Sequence, residues 1–308
     1  MSTHSLRTRY MRHFSGLSRY NSLIGRFIVA SYFAQIVAAL ASGHVVLHYT
    51  TGWASNALLA FFMVFVATRL RGLNNIVHEC SHGSFVEDRA ENQLLGSICA
   101  SVVLGCFKDY RDEHLTHHKH LGDYEHDLDL QGIEDLKLHD PLTPKTIVRH
   151  LVTPLIGRHL PYYLGANMSS RDGKGFLALK IALIVSAFIF LAVQPLTALV
   201  MVFVPFLLIY SALNYWADCM DHAGLIHSDE ELEASRNILA PGLLRWMFFP
   251  RSDCFHLVHH LFPQIPARHL EACHQLLEWD ADYAARPNAI GRTEDWRKKG
   301  RGIVVPAE

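Results

Sequence analysis

FIVASYFAQIVAALASGHVVLH, Phe27 to His48, runs for 22 residues without an Asp, Glu, Lys or Arg. At 1.5 Å per residue such a helix spans about 30 Å of hydrocarbon. Leu196 to Ala217 is a second uncharged run of 22 residues. Between them, Trp53 to Thr68 is apolar for 16 residues and crosses if Leu70 to Ile76 extends the same helix, and Phe176 to Val193 carries one lysine, Lys180, near its start. Leu94 to Phe107 has 14 uncharged residues, short for a crossing and better suited to a re-entrant or interfacial helix. Half of the 308 residues are hydrophobic and only 19% are charged, which argues against a soluble helical enzyme.

Charge sets the expected topology. The first 26 residues hold Arg7, Arg9, Arg12, Arg19 and Arg26 and no acidic residue, which keeps the N-terminus cytoplasmic. Tyr49 to Gly52 and Gln194-Pro195 are short uncharged turns. Two transmembrane helical hairpins with these bends on the far side return every charged stretch, and both termini, to the cytoplasm. The N-terminal segment has no short apolar run with a small-residue cleavage site, so no signal peptide is expected. The expected protein is all-α and multi-span: a basic segment at 1–26, a membrane domain at 27–278 and a cytoplasmic tail at 279–308. In a bacterium its place is the inner membrane.

Three histidine boxes lie in the stretches assigned to that one face. His78-x-x-x-His82 puts two imidazoles a turn apart on one helical face. His114-x-x-His117-His118 and His256-x-x-His259-His260 repeat an i, i+3, i+4 pattern across more than 130 residues. Imidazole stays coordinated without adding charge beside lipid, and it suits iron, zinc, copper or nickel. Eight rings are too many for one ion, so a pair of metals is expected. His222, after the last long run, is a ninth candidate. His120, His44 and His48 are read as lying outside the centre, the last two packed or at the far lipid interface. Asp109, Asp112, Glu113, Asp123, Asp127 and Asp129 surround the second box, and some of them should hold ring N–H groups. Glu79 and Asp221 are catalytic candidates, able to orient a ring or carry protons. The six cysteines form no C-x-x-C pair and are read as packing residues, Cys80 and Cys254 included.

Boxes of this form and order, separated by paired spans, resemble the membrane-bound fatty acid desaturase superfamily, which also contains hydroxylases and ketolases. The resemblance covers Phe27 to Gln275, and His256-Leu257-Val258-His259-His260-Leu261-Phe262-Pro263 is especially similar to the third box of acyl-lipid desaturases. It implies that His78, His82, His114, His117, His118, His256, His259 and His260 bind two irons, with O₂ as co-substrate. In Asp221-His222-x-Gly224, His222 matches a position where several members supply a further histidine. The four-residue gap of the acyl-CoA branch is not found in the first box. No His-Pro-Gly-Gly cytochrome b5 motif and no dinucleotide fingerprint is present, so electrons are expected from a separate donor of ferredoxin, rubredoxin or cytochrome b5 type, with its reductase. The expected reaction inserts a double bond into the acyl chain of a lipid or fatty acid. Hydroxylation or ketolation of an apolar substrate is the alternative, and a zinc hydrolase or a non-catalytic membrane scaffold the remaining rivals. Val102 to Phe107, Phe176 to Ile189 and Phe203 to Tyr215 are candidate walls of a substrate slot, and the basic stretch Arg292 to Arg301 could touch anionic lipid or an acidic donor. No nucleic acid is expected among the partners.

Overall fold

A computed structural model describes residues 3–227, 231–285 and 289–291. The basic tail from Arg292 lies outside the described residues. Helix α1 is Thr3–Ser15, and α2, Ser22–Tyr49, starts where the Asn21 side chain accepts from the Ile24 N–H at 2.9 Å. Helix α3, Trp53–Ser81, packs back along α2 and runs past Thr68 through the first box. The expected extension of the second run is therefore present as one helix of 29 residues. Gly83, in the left-handed region at φ 63°, turns the chain away beyond it.

Helices α4, Arg89–Val102, and α5, Phe107–His120, are bent by 101° at Val103–Cys106. Leu104 takes φ 57° there, and the Asp172 carboxylate caps α5 by accepting from the N–H groups of Phe107 and Lys108 at 2.7 and 3.0 Å. The run at Leu94–Phe107 thus ends in a sharp bend that delivers the second box. Helix α6, Pro144–Leu155, opens with a Thr143–Thr146 capping box, and α7 is the single turn Leu160–Tyr163. In helix α8, Lys174–Val193, only Lys180 is buried, and the apolar residues are half-buried or exposed. The last long element, Pro195–His222, comprises α9 (Pro195–Ala198), a π-helical stretch Leu199–Tyr210 around Pro205, and α10 (Ser211–His222).

Shorter pieces complete the cap: α11 (Glu231–Ala234), α12 (Gly242–Phe248), α13 (His256–Leu261), α14 (Leu270–Leu277) and α15 (Ala281–Ala284). Strands β1 (Asn237–Leu239) and β2 (Ala289–Gly291) pair in parallel, Ile238 opposite Ile290. Among the described residues four helices are long and apolar enough to cross a membrane. The protein is a largely helical, multi-span membrane protein, and its outward apolar surface is what hydrocarbon requires of helices whose backbone is internally satisfied.

Contacts at both ends hold the spans in place. At one end, Thr197 Oγ1 of α9 sits 3.0 Å from His44 Nδ1 and 2.8 Å from His48 Nε2, joining α9 to the last turns of α2. At the other, Leu6 and Phe14 of α1 share a core with Phe262, Leu257 and Tyr283. Arg7 donates to the carbonyls of Leu261 and His260 at 2.8 and 2.9 Å, so the basic N-terminal segment neutralises the C-terminal end of α13.

Candidate metal centre

Helices α3, α5, α10 and α13 converge, and their nine candidate histidines sort into two groups. His78, His82, His114, His118 and His259 form one; His117, His222, His256 and His260 form the other, each with donor atoms within 4.8 Å of one another. Neighbours in sequence feed different groups. One residue is 100° of helical rotation, so in each i, i+3, i+4 box the i and i+4 rings go to one group and the i+3 ring to the other. The second box thus gives two rings to the five-membered group, and the third box gives two to the four-membered group. His222 supplies the latter's fourth donor. His120 lies outside both, its ring 5.5 Å from that of His126.

The spacing of the nitrogens tests whether ions fit. His78 Nε2 lies 2.8 Å from His259 Nε2, which is 3.0 Å from His118 Nε2, itself 3.1 Å from His114 Nε2, which is 3.0 Å from His82 Nε2. In the second group His256 Nε2 is 3.0 Å from His222 Nε2 and 2.9 Å from His260 Nε2. Metal–nitrogen bonds of about 2.1 Å at right angles put neighbouring donors about 3.0 Å apart. Ring tautomers agree. His114 Nδ1 faces Asp129 at 2.8 Å, His117 Nδ1 faces Asp127 at 2.8 Å, and His222 Nδ1 faces the Ala234 carbonyl at 3.0 Å. Each of these Nδ1 atoms carries the proton, because a carbonyl or carboxylate only accepts, and the Nε2 lone pair is left pointing inward. Lone pairs of His114 and His222 therefore face other imidazole nitrogens at hydrogen-bond distance, an arrangement that a shared cation satisfies. Burial pushes the imidazoles of His256, His259 and His260 well below their ordinary pKa, keeping them neutral as ligands must be.

Of the six carboxylates around the second box, Asp127 and Asp129 hold rings of the two histidine groups. Asp109 and Asp112 bind Arg171 instead, and Asp123 binds His126. Asp221 lies 3.7 Å from His256 Nδ1 and lines the central cavity. Both Glu79 oxygens accept from Arg251, at 2.7 and 2.9 Å. Glu79 therefore reaches the turn before the third box rather than a ring. It belongs to a ladder that sequence reading missed: Arg71, Asn75 and Glu79, at i, i+4 and i+8 on α3, bind Asp253, the Pro250 carbonyl and Arg251. That turn is strained, with Arg251 and Ser252 at φ 67° and 60°, and the ladder holds it in place. Only the four-residue spacing on α3 hinted at it; the partners are about 175 residues away. All six cysteines are free and buried, and none belongs to either group.

A polar cavity of about 170 Å³ adjoins both groups, walled by His78, His114, His117, His222 and His256. Through Asn74 and Asn214 it shares walls with a more open cavity of about 390 Å³ between Val103–Gly105, Tyr163–Asn167, Phe206 and Tyr210. Two of the three stretches expected to border a slot do so; Phe176 to Ile189 does not line this cavity.

Four apolar spans carrying two clusters of histidine donors define a membrane protein with a paired metal-binding centre. A family model for fatty acid desaturase matches residues 51–288, and the chain belongs to that family. It is 26% identical over 220 residues to an omega-3 fatty acid desaturase of the endoplasmic reticulum of Vigna radiata var. radiata, covering 63% of this chain and 57% of that protein. It is 25% identical over 279 residues to dihydrorhizobitoxine desaturase of Bradyrhizobium elkanii, covering 83% and 76%. With the acyl-lipid omega-3 desaturase (cytochrome b5) of Arabidopsis thaliana it shares 25% over 251 residues, 71% of this chain and 60% of the relative. The names of further relatives include ferredoxin. The chain spans less than two thirds of the length of two of these three relatives. It combines membership of the family with two groups of histidine donors suited to a pair of metal ions.

Proposed function

We propose that the protein introduces a double bond into the acyl chain of a lipid or fatty acid, using O₂ and two irons. The single observation that carries this is the pair of imidazole groups whose Nε2 atoms stand 2.8–3.1 Å apart, together with membership of the desaturase family. When bound, two irons reduce O₂ and supply the oxidising power to remove hydrogen from an unactivated C–H bond. The nine histidines named above would hold them. Asp127, Asp129 and the Ala234 carbonyl keep three rings in the tautomer that donates through Nε2.

The slot at Val103–Gly105 and Phe206–Tyr210 would hold the chain, and Asn74 and Asn214 mark its passage to the metal face. Holding two neighbouring carbons against that face favours loss of two hydrogens over return of oxygen to one carbon. Asp221, on the cavity wall, is the proposed proton carrier, and Glu79 acts through Arg251 as a positioning residue. Electrons would come from a separate donor of ferredoxin, rubredoxin or cytochrome b5 type with its reductase; both ferredoxin and cytochrome b5 occur in relatives' names. The proposed orientation is cytoplasmic for the cap and both termini. It is supported by α1, whose arginines lie on the metal-binding side.

The test supplies iron-loaded, detergent-purified protein with lipid extract, O₂ and a reducing partner. Product lighter by two hydrogens is expected. A gain of one oxygen would make the protein a hydroxylase, and purification without iron after iron-replete expression would overturn the metal assignment.

A further inference from the structure

Helix α10 with its two capping residues, Tyr210 and Ala223, has two lined faces. Tyr210, Asn214, Asp218 and Asp221 border the slot and the central cavity. Leu213, Trp216, Met220 and Ala223, on the opposite side by helical periodicity, border a separate apolar cavity of about 590 Å³. Its other walls are α6, through Ile147 and Leu151, and α12 with the following turn, through Leu244 and Phe248. This volume lies within the roughly 300–1,000 Å³ of ordinary small-molecule sites.

Polar bonds behind the walls make it a built chamber. Trp216 Nε1 donates to the His150 carbonyl at 3.0 Å, fixing α6 to α10. Arg69 donates to the carbonyls of Trp246 and Met247 at 2.9 and 3.1 Å and stacks on the Trp246 ring, pinning α12 to α3. These bonds use the polar groups and leave carbon facing the cavity. Arg71 lines both this chamber and the central one, and its guanidinium, held by Asn214 and Asp253, stands between them.

The rim names the occupant. Ile147, Leu151 and Leu244 are 46%, 55% and 49% exposed, and the surface continues outward through Leu155 and Leu243, each 75% exposed. A patch of this kind marks contact with membrane or with another protein, and for a chain with four membrane-length apolar helices lipid is the neighbour always at hand. Its depth agrees: the lining residue Arg71 lies seven residues before His78, about 10 Å along α3 from the metal-binding end toward the bilayer. The mouth therefore opens on lipid tails.

We propose that the chamber binds one acyl chain of a bilayer phospholipid that is not the substrate, the Arg71–Asp253 pair separating it from the metal-binding cavity. The inference rests on the membrane placement of the chain and not on its iron chemistry, and its test runs without iron turnover.

Full-length protein is reconstituted in phosphatidylcholine vesicles containing a phosphatidylcholine with a photoreactive diazirine at mid-chain. After photolysis, peptides are mapped by mass spectrometry. Adducts on the Leu213–Ala223 and Leu244–Phe248 peptides should exceed those on the lipid-facing Phe188–Ile189 peptide. Leu151→Trp and Leu244→Trp, which narrow the mouth from exposed positions, should cut chamber adducts about tenfold, equivalent to one decade in affinity, with α8 labelling unchanged. Chamber labelling in the unmodified protein no greater than that of α8 would overturn the proposal. So would chamber labelling that survives both substitutions.

Discussion

The five-histidine group takes one donor from α3 and one from His82, which caps that helix, two from α5 and one from α13, whereas the four-histidine group takes one from α5, one from α10 and two from α13. Their support differs as well. In the first, Asp129 behind His114 is 30% exposed; in the second, Asp127 behind His117 is fully buried. One group is therefore rich in donors with a partly exposed support, the other has four donors and a buried support. Loss of a histidine or a supporting carboxylate should be felt more sharply in the four-histidine group.

The largest expected effect follows from removing its isolated donor. His222→Ala leaves three rings, and iron per chain should fall from about two to about one, with turnover down at least ~100-fold. His82→Ala leaves four rings in the other group and should cost about tenfold less. Metal analysis alongside turnover separates the two; equal iron loss from both variants would mean that the groups cannot load independently.

Next come the carboxylates. Asp127→Asn should lower iron affinity or activity by about 10–100-fold, and Asp129→Asn by less, because water can replace a partly exposed oxygen. Iron titration against a chelator reads the difference. A larger effect at Asp129 would reverse the ranking of the two supports.

The α3 ladder lies under both groups and offers a test of mechanism against scaffold. Glu79→Gln leaves Arg251 buried without its charge partner and should destabilise by about 3–5 kcal/mol in thermal unfolding. The Glu79→Gln/Arg251→Met double variant should be less destabilised than the single one. An unchanged melting temperature with lost turnover would instead make Glu79 a proton carrier.

The smallest effect is a pH dependence in the packing behind α13. Asn237 Nδ2 donates to the Tyr283 hydroxyl, which lies 2.9 Å from His274 Nδ1, and burial lowers the His274 pKa to about 4. Between about pH 6.5 and 4 the unfolded chain binds a proton that the folded one refuses, so stability falls as pH falls through that window, by about 3 kcal/mol. His274→Gln should flatten this slope in melting temperature against pH; an unaltered slope would assign it to other groups.

How much was legible beforehand follows from the range of each interaction. Uncharged runs announce spans because bilayer thickness fixes helix length, and repeated i, i+3, i+4 spacing puts imidazoles on one face of a helix without reference to any partner. Helical rotation separates the i+3 ring from the i and i+4 rings, but which rings of different helices meet in one group was not legible, since that depends on how the helices cross. Nor could the six acidic residues near the second box be sorted, because Asp127 and Asp109 differ only in what the folded chain brings to them: a ligand ring for one, Arg171 and Asn167 for the other.

The sequence by itself determined the medium, the number of apolar helices and the nine imidazoles, all consequences of local periodicity and side-chain chemistry. Tertiary structure alone decided the five-and-four division, the clamp of Arg71, Asn75 and Glu79 on the turn at 250–253, and the closure of an apolar chamber behind α10. Each of these joins residues far apart in the chain, and only packing sets their distance.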